Sequence, residues 1–371
     1  MHLIVVGEPN IIPNKGTRNN ALNEILIRYK EFNDKVTYVS YSEEGDIEFI
    51  NNEVNFFAIG CYSKQKRIIL SSKEIILTRL SSLISALDDQ YHIQFRVPSL
   101  FSLQIYYFLR KKINLKKISF YVAGNWKESL KFNYPSKPYL SFLLPKIEAL
   151  VLKGNKCVFA GEELLRLHNR NVQDGFAFYS TTHTSTDIQL NFSKQSKKGI
   201  CFIGRIEKLK NYNFIYKLSK GKLGKQYHFY MLGDGPDFCE FKDLIDREKL
   251  SNITLCGHIS DRKIFDDIIN ECKYFILPSY TEGTSKTLPE MMCRNIIPIA
   301  FRDVGSNNFI INNKNGILVE VDSYTEVENS IMQIDSDSEL YKSYLLHGNE
   351  YARNNTIDIQ LDKMFKFLYE K

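Results

Sequence analysis

Short apolar runs recur along this chain, and each closes on a glycine or a polar turn before a stretch of helical periodicity begins. In the first half, runs at residues 3–6, 36–40, 56–59, 68–70, 91–95, 118–122 and 156–160 predict strands. Helical patterns lie between several of them, such as residues 75–87 and the segment carrying Leu22, Ile25 and Leu26. In the second half the runs fall at 198–203, 229–232, in NITLCGHIS at 252–260, and at 274–277. Near-continuous apolar strands alternating with helices are the signature of a parallel sheet covered on both faces. The fold class expected is α/β, with two Rossmann-like doubly wound domains facing across a cleft. Residues 1–190 are expected to form the first domain and 191–350 the second. The polar stretch 180–198, with STTHTSTD followed by SKQSKK, predicts the hinge. Residues 340–371 read as helical, with 351–371 a terminal segment.

In such sheets ligands collect beyond the carboxyl ends of the strands, so the residues just after each run are the candidates for chemistry. Gly204 and Arg205 follow the 198–203 run, with Lys210 at the mouth of the next helix; Arg205 presents a planar fork suited to a diphosphate, Lys210 a mobile point charge. Gly233 opens the turn GDGP after 229–232, and Gly257 and His258 end the next run. After 274–277 comes PSYTEGTSKTLPE, in which Glu282 and Glu290 stand eight positions apart. Gly283, Thr284 and Ser285 are expected to offer amides at the start of a helix carrying Leu288, Met291 and Met292, which suits phosphate or sugar oxygens. Glu290 is expected about two turns into that helix, so the two carboxylates would grip different groups of one elongated ligand.

These motifs, in this order, resemble a family 4 retaining glycosyltransferase of the GT-B fold: GR…K at Gly204, Arg205 and Lys210, GDGP at 233–236, Gly257-His258-Ile259, and E-x7-E at Glu282 and Glu290. The segments PIAFRDVGSNNFI and NNKNGILVE resemble the part that closes the donor site, and the likeness covers residues 199–320. The resemblance implies that Arg205 and Lys210 hold the donor diphosphate, Glu290 the ribose hydroxyls, and Glu282 with the amides of Gly283, Thr284 and Ser285 the transferred sugar. His258 and Ile259 would lie near the nucleobase, with Gly233 and Gly257 lining the donor site. Catalytic roles would fall to Glu282, Arg205 and Lys210. The resemblance further implies a nucleotide-sugar co-substrate of UDP or GDP type with no bound cofactor or metal, a saccharide or lipid-linked acceptor in polysaccharide synthesis, and a last helix that returns to the first domain. The chain departs from the family at Thr284 and Ser285, where an aromatic and a second glycine are usual, and at MMCRN after Glu290. A non-catalytic sugar-nucleotide-binding subunit and a GT-B epimerase are the alternatives.

In the first half, Gly16 and Thr17 lie in a polar loop before a helix, placed to approach the acceptor or the donor phosphates. His92 and Arg96, in YHIQFRVPS, would touch sugar or acceptor, or His92 would be a packed core residue. Trp126 would stack on a sugar or anchor a loop.

At 371 residues, 43% hydrophobic and 25% charged, the composition is that of a soluble globular protein long enough for two cores. The formal charge of +6 is too small to argue for nucleic acid, but residues 1–190 hold 24 Lys and Arg against 18 Asp and Glu, whereas 191–371 hold 25 of each. That excess directs attention to residues 101–117, where Phe101 and neighbouring aromatics precede Arg110, Lys111, Lys112, Lys116 and Lys117. This is either a contact with an anionic membrane or a sheet-packing helix with a cationic end. Seven cysteines without paired spacing suggest reduced thiols and a cytoplasmic site, extending to the inner face of the membrane. No CxxC or HxxxH pattern suggests zinc.

Overall fold

The computed structural model describes residues 1–42, 44–45, 47–61, 73–85, 89–127, 130, 136–168, 172, 174–189 and 196–370. Two compact units emerge: residues 1–178 with 361–371, and residues 179–360. The expected strand at 68–70 lies outside the described residues.

The first unit is built on parallel strands in the spatial order Asp174–Phe178, Lys156–Ala160, Ile118–Val122, Tyr91–Val97, His2–Val6, Lys35–Ser42 and Val54–Cys61. Its inner strands are buried on both faces, and polar members such as Thr37, His92, Gln94 and Ser119 are buried with the apolar ones. One strand the periodicity does not reveal, Glu48–Asn51, pairs antiparallel with Val54–Cys61. The turn between them places Asn52 and Glu53 at φ 46° and 62°, the left-handed pair that matches strand twist in a two-residue hairpin. Helix Asn20–Glu31 buries Leu22 and Leu26 and is capped by Asn19, whose side chain accepts from the Leu22 amide.

The second unit carries a six-stranded parallel sheet ordered Ile253–Gly257, His228–Leu232, Gly199–Ile203, Cys272–Leu277, Ile297–Phe301 and Ile317–Val319. Gly199–Ile203, first of these in the chain, has His228–Leu232 on one side and Cys272–Leu277 on the other. The winding therefore reverses between Gly199–Ile203 and Cys272–Leu277. Connections leave that point toward opposite faces, and a crevice opens beyond the strand ends.

The division between the units lies at Phe178/Tyr179, ahead of the expected 190/191, because the stretch read as a hinge is docked rather than loose. His183 is buried and its ring Nε2 bonds the Ala352 carbonyl at 2.8 Å. The Gln189 amide donates to Cys293 O, and Asn295 Nδ2 returns a bond to Gln189 O. Its hydroxyl-rich sequence spends its polar groups on protein partners, including a capping box between Thr184 and Asp187. At the C-terminus the helical pattern breaks into Ser338–Asn354 and Ile357–Tyr369. Residues from Leu361 onward belong to the first unit, where Phe365 packs on Tyr29 and Phe32 and Lys156 Nζ donates to Phe367 O.

Candidate donor site

The loops that leave the two strands at the switch point are bonded to each other. After Gly199–Ile203 the chain passes Arg205 and makes a single 3-10 turn at Lys208–Lys210. After Cys272–Leu277 it turns at Pro278 and Ser279, and the Tyr280 amide donates to Leu209 O at 3.0 Å. Lys210 Nζ then meets Glu282 Oε1 at 2.6 Å, with the two side chains only 26% and 11% exposed. A charge-assisted bond this short in a half-buried setting holds both groups in place. Arg205 is more open: 67% of its side chain is exposed and its partner is Glu207, with Nη1 3.4 Å from Oε2. Such a surface pair contributes little to stability and exchanges readily for a ligand.

The GDGP turn lies directly against the Arg205 loop. Gly233 has φ +138°, and a Cβ there would stand 2.0 Å from the Gly204 carbonyl oxygen. Only glycine allows this approach, which is clamped by bonds from Gly204 N to Leu232 O and from Ile206 N to Asp234 O. Gly233 N donates in turn to Gly257 O at 2.8 Å, linking the next strand end. His258 is exposed beyond it, while Ile259 is half-buried and packs toward the core formed by Leu277, Leu288 and Met291.

A third loop backs the glutamate turn. Ser306 N donates to Gly283 O, and a Cβ on Gly305, at φ +53°, would fall 2.5 Å from Glu282 O. Among the described residues, the buried hydroxyls of Ser279, Thr284 and Ser306 have no hydrogen-bond partner. These three line the same turn, a concentration of unused polar capacity in a region where buried polar groups are ordinarily paired.

The helix after the turn is shorter than expected, Thr287–Cys293, so Gly283, Thr284 and Ser285 precede it rather than begin it. Pro289 sits in the first turn, where its missing N–H costs nothing. Glu290 accordingly lies in the first helical turn, not two turns in. Its Oε1 accepts from the Thr182 hydroxyl, and burial pushes its carboxyl above the usual range, with Thr182 and the charges of Arg294, Lys286 and Arg262 opposing. The motif reading missed Thr182. It lies 108 positions from Glu290 in a stretch assigned to a hinge, and its local sequence carries no mark of that contact.

The first-unit candidates separate. Thr17 is buried and spent locally: its amide donates to Asn23 Oδ1 and its hydroxyl to Asn19 O, while Gly16 sits over Asn23 and Phe56 in a two-residue strand pair with Ile11–Ile12. His92 is the second residue of Tyr91–Val97, at the end opposite the strand's exit, and bonds Ser119 across the sheet. Burial and the charge of Lys156 push its pKa down to about 3, so it is a neutral core histidine and not a contact for sugar. Arg96 lies near the exit, its guanidinium stacked 4.3 Å from the Tyr121 ring centroid and its Cδ close to Gly7. Trp126 is buried in the core. In residues 101–117 the aromatic character also serves packing: helix Leu100–Leu109 buries Phe101, Tyr106 and Leu109 and exposes Tyr107. Lys112 reaches Ser81 and Lys117 the Asp89 carbonyl, so that basic end is partly spent within the fold. Among the described residues, no helix is long and apolar enough to cross a membrane.

Residues 184–349 match the family described as Glycosyl transferases group 1, a stretch that contains every residue of the donor-site constellation except Thr182. An uncharacterized glycosyltransferase of Methanocaldococcus jannaschii is 27% identical over 34% of this chain and 36% of its own length, so the match spans about a third of that curated relative. Among solved structures, a glycosyltransferase from Rickettsia africae superposes with a TM-score of 0.71 at 17% identity, covering 100% of this chain and 98% of that one. Anabaena HepE in complex with UDP gives a TM-score of 0.69 at 11% identity, covering 98% of each chain. The fold is GT-B, with two Rossmann-like α/β units.

Proposed function

We propose that this GT-B chain, which carries a Glycosyl transferases group 1 domain, is a retaining glycosyltransferase. It moves a sugar from a UDP- or GDP-sugar to a saccharide or lipid-linked acceptor in polysaccharide synthesis on the cytoplasmic side of a membrane. One observation carries the reading: at the sheet's reversal point the loop bearing Arg205 and Lys210 is bonded to the turn bearing Glu282, Gly283, Thr284 and Ser285. Cations thereby stand beside a carboxylate and unused hydroxyls, matching a ligand whose diphosphate adjoins a sugar.

The reaction breaks the bond between the anomeric carbon and the diphosphate, so negative charge grows on the leaving oxygen. Arg205 offers a planar fork to that charge and Lys210 a point charge. Lys210 exchanges Glu282 for phosphate when donor binds. The freed carboxylate then accepts from hydroxyls of the transferred sugar, assisted by the amides of Gly283, Thr284 and Ser285. Glu290, fixed by Thr182, takes the ribose hydroxyls, and the base lies toward His258 and Ile259. The likeness to Anabaena HepE, whose structure was solved with UDP, supports a uridine donor in particular.

A melting-temperature panel with UDP-, GDP-, ADP- and CMP-sugars tests this. A ligand at about a hundred times its Kd adds about 2.7 kcal/mol to stability, so the true donor is expected to raise the transition clearly. A panel in which no sugar nucleotide moves it would defeat the proposal. Because Arg205 and Lys210 meet the leaving-group charge, treatment with EDTA is expected to change turnover by less than about twofold. Loss of activity restored by a divalent ion would assign that charge to a metal instead.

A further inference from the structure

Helix Leu140–Leu152 in the first unit is apolar on both sides: Leu152 lies in the core with Leu140, Leu144 and Val151 packed against it, and the side facing away is apolar as well. It buries Glu148 to 1% exposure, yet Tyr139 just ahead of it and Phe142, Leu143, Ile147 and Leu150 along it stand 45–74% exposed. Positions 139, 143, 147 and 150 recur at helical spacing, so these side chains form one stripe. Large apolar side chains scattered singly need no explanation; a continuous stripe does. Beside the stripe runs a groove of about 660 Å³ in which Lys127, Lys146 and Lys153 line the walls with Phe142 and Leu150, and among the described residues no acidic side chain lines it. Lys146 Nζ sits 3.7 Å from the Phe142 ring centroid, its apolar stem along the stripe and its charge at the edge.

We propose that this helix is the docking surface for an anionic phospholipid bilayer. The apolar stripe enters the boundary between headgroups and acyl chains, Tyr139 lies at the interface, and the three lysines meet lipid phosphates. Charge decides between a bilayer and a second copy of the chain. In a two-fold contact the same cationic groove would face itself, whereas an anionic leaflet complements it. The proposal does not depend on the donor chemistry, and it moves membrane contact away from residues 101–117, whose aromatic helix is largely committed to the core.

Co-sedimentation of the full chain with vesicles of phosphatidylcholine alone and of equimolar phosphatidylcholine and phosphatidylglycerol tests it. Binding is expected to the anionic vesicles only, and to weaken with salt. Leu150→Glu, at an exposed position, should abolish binding with an unchanged melting temperature. The double substitution Lys146→Glu with Lys153→Glu should weaken it about tenfold. Lys111→Glu, in the other basic segment, should bind like the parent. Equal binding to both vesicles, parental binding by Leu150→Glu, or loss confined to Lys111→Glu would each overturn the proposal. So would a dimer in sedimentation velocity that Leu150→Glu dissociates while the parent ignores vesicles.

Discussion

Replacing Arg205 by alanine is expected to lower kcat/KM for sugar transfer by about a hundredfold to a thousandfold, the loss typical of one group aimed at developing transition-state charge. The fold should not notice. Arg205 is largely exposed and its protein partner is Glu207 in a loose surface pair, so the melting temperature should stay within about two degrees of the parent. Lysine at this position keeps the charge and loses the planar fork, and should recover only part of the activity. Glu290→Ala is expected to produce a comparable loss through a different route, appearing mainly in KM for the donor if its carboxylate holds the ribose. It also removes the acceptor of the Thr182 hydroxyl. Turnover at the parental rate in either folded variant, measured with the donor that raises the melting temperature, would remove that residue from the mechanism.

The second large effect concerns stability. Burial raises the Glu148 carboxyl from an ordinary 4.5 to about 8, and its Oε1 has no hydrogen-bond partner among the described residues. The folded protein therefore keeps a proton on Glu148 through a pH range in which the unfolded chain has released it. Since the folded state binds more protons there, stability is greatest below the unfolded pKa and falls as pH rises through the folded one. The contribution is on the order of 4 kcal/mol between about pH 5 and about pH 9. Glu148→Gln keeps the shape and removes the titration, so it should melt higher than the parent at alkaline pH and show a flatter profile. Parallel pH profiles for the two proteins would show that Glu148 ionises in the folded state without cost. The neighbouring thiol of Cys157 shares this setting, pushed up to about 12 by burial and by the Glu148 charge.

Much of the candidate site was legible in the sequence, because the features that define it are local. A parallel strand buried on both faces writes a short apolar run, its exit is marked by glycine, and the residues after the exit are where a doubly wound sheet presents ligands. Arg205, Lys210, Gly233, Gly257 and Glu282 were found that way, and the structure links their loops through backbone and side-chain bonds. The helix start was misjudged by local reasoning of the same kind. Gly283–Ser285 read as its opening turn, but the tie from Ser306 to Gly283 and the close approach of Gly305 hold that stretch as a loop until Thr287.

What the sequence determined by itself is the alternation of strand and helix, the motif order, and the basic excess of the first half. Tertiary structure decided everything that depends on what lies across from a residue. Periodicity reports that a face is apolar but not what covers it, so the aromatic helix Leu100–Leu109 turned out to be packed while Leu140–Leu152 carries the open stripe. A histidine's role rests on its neighbours, and His92 became a core residue once Ser119 stood beside it. Thr182 acquired its place only when the chain brought it to Glu290, because a hydrogen bond is set by position in space and leaves no trace in residues so far apart along the chain.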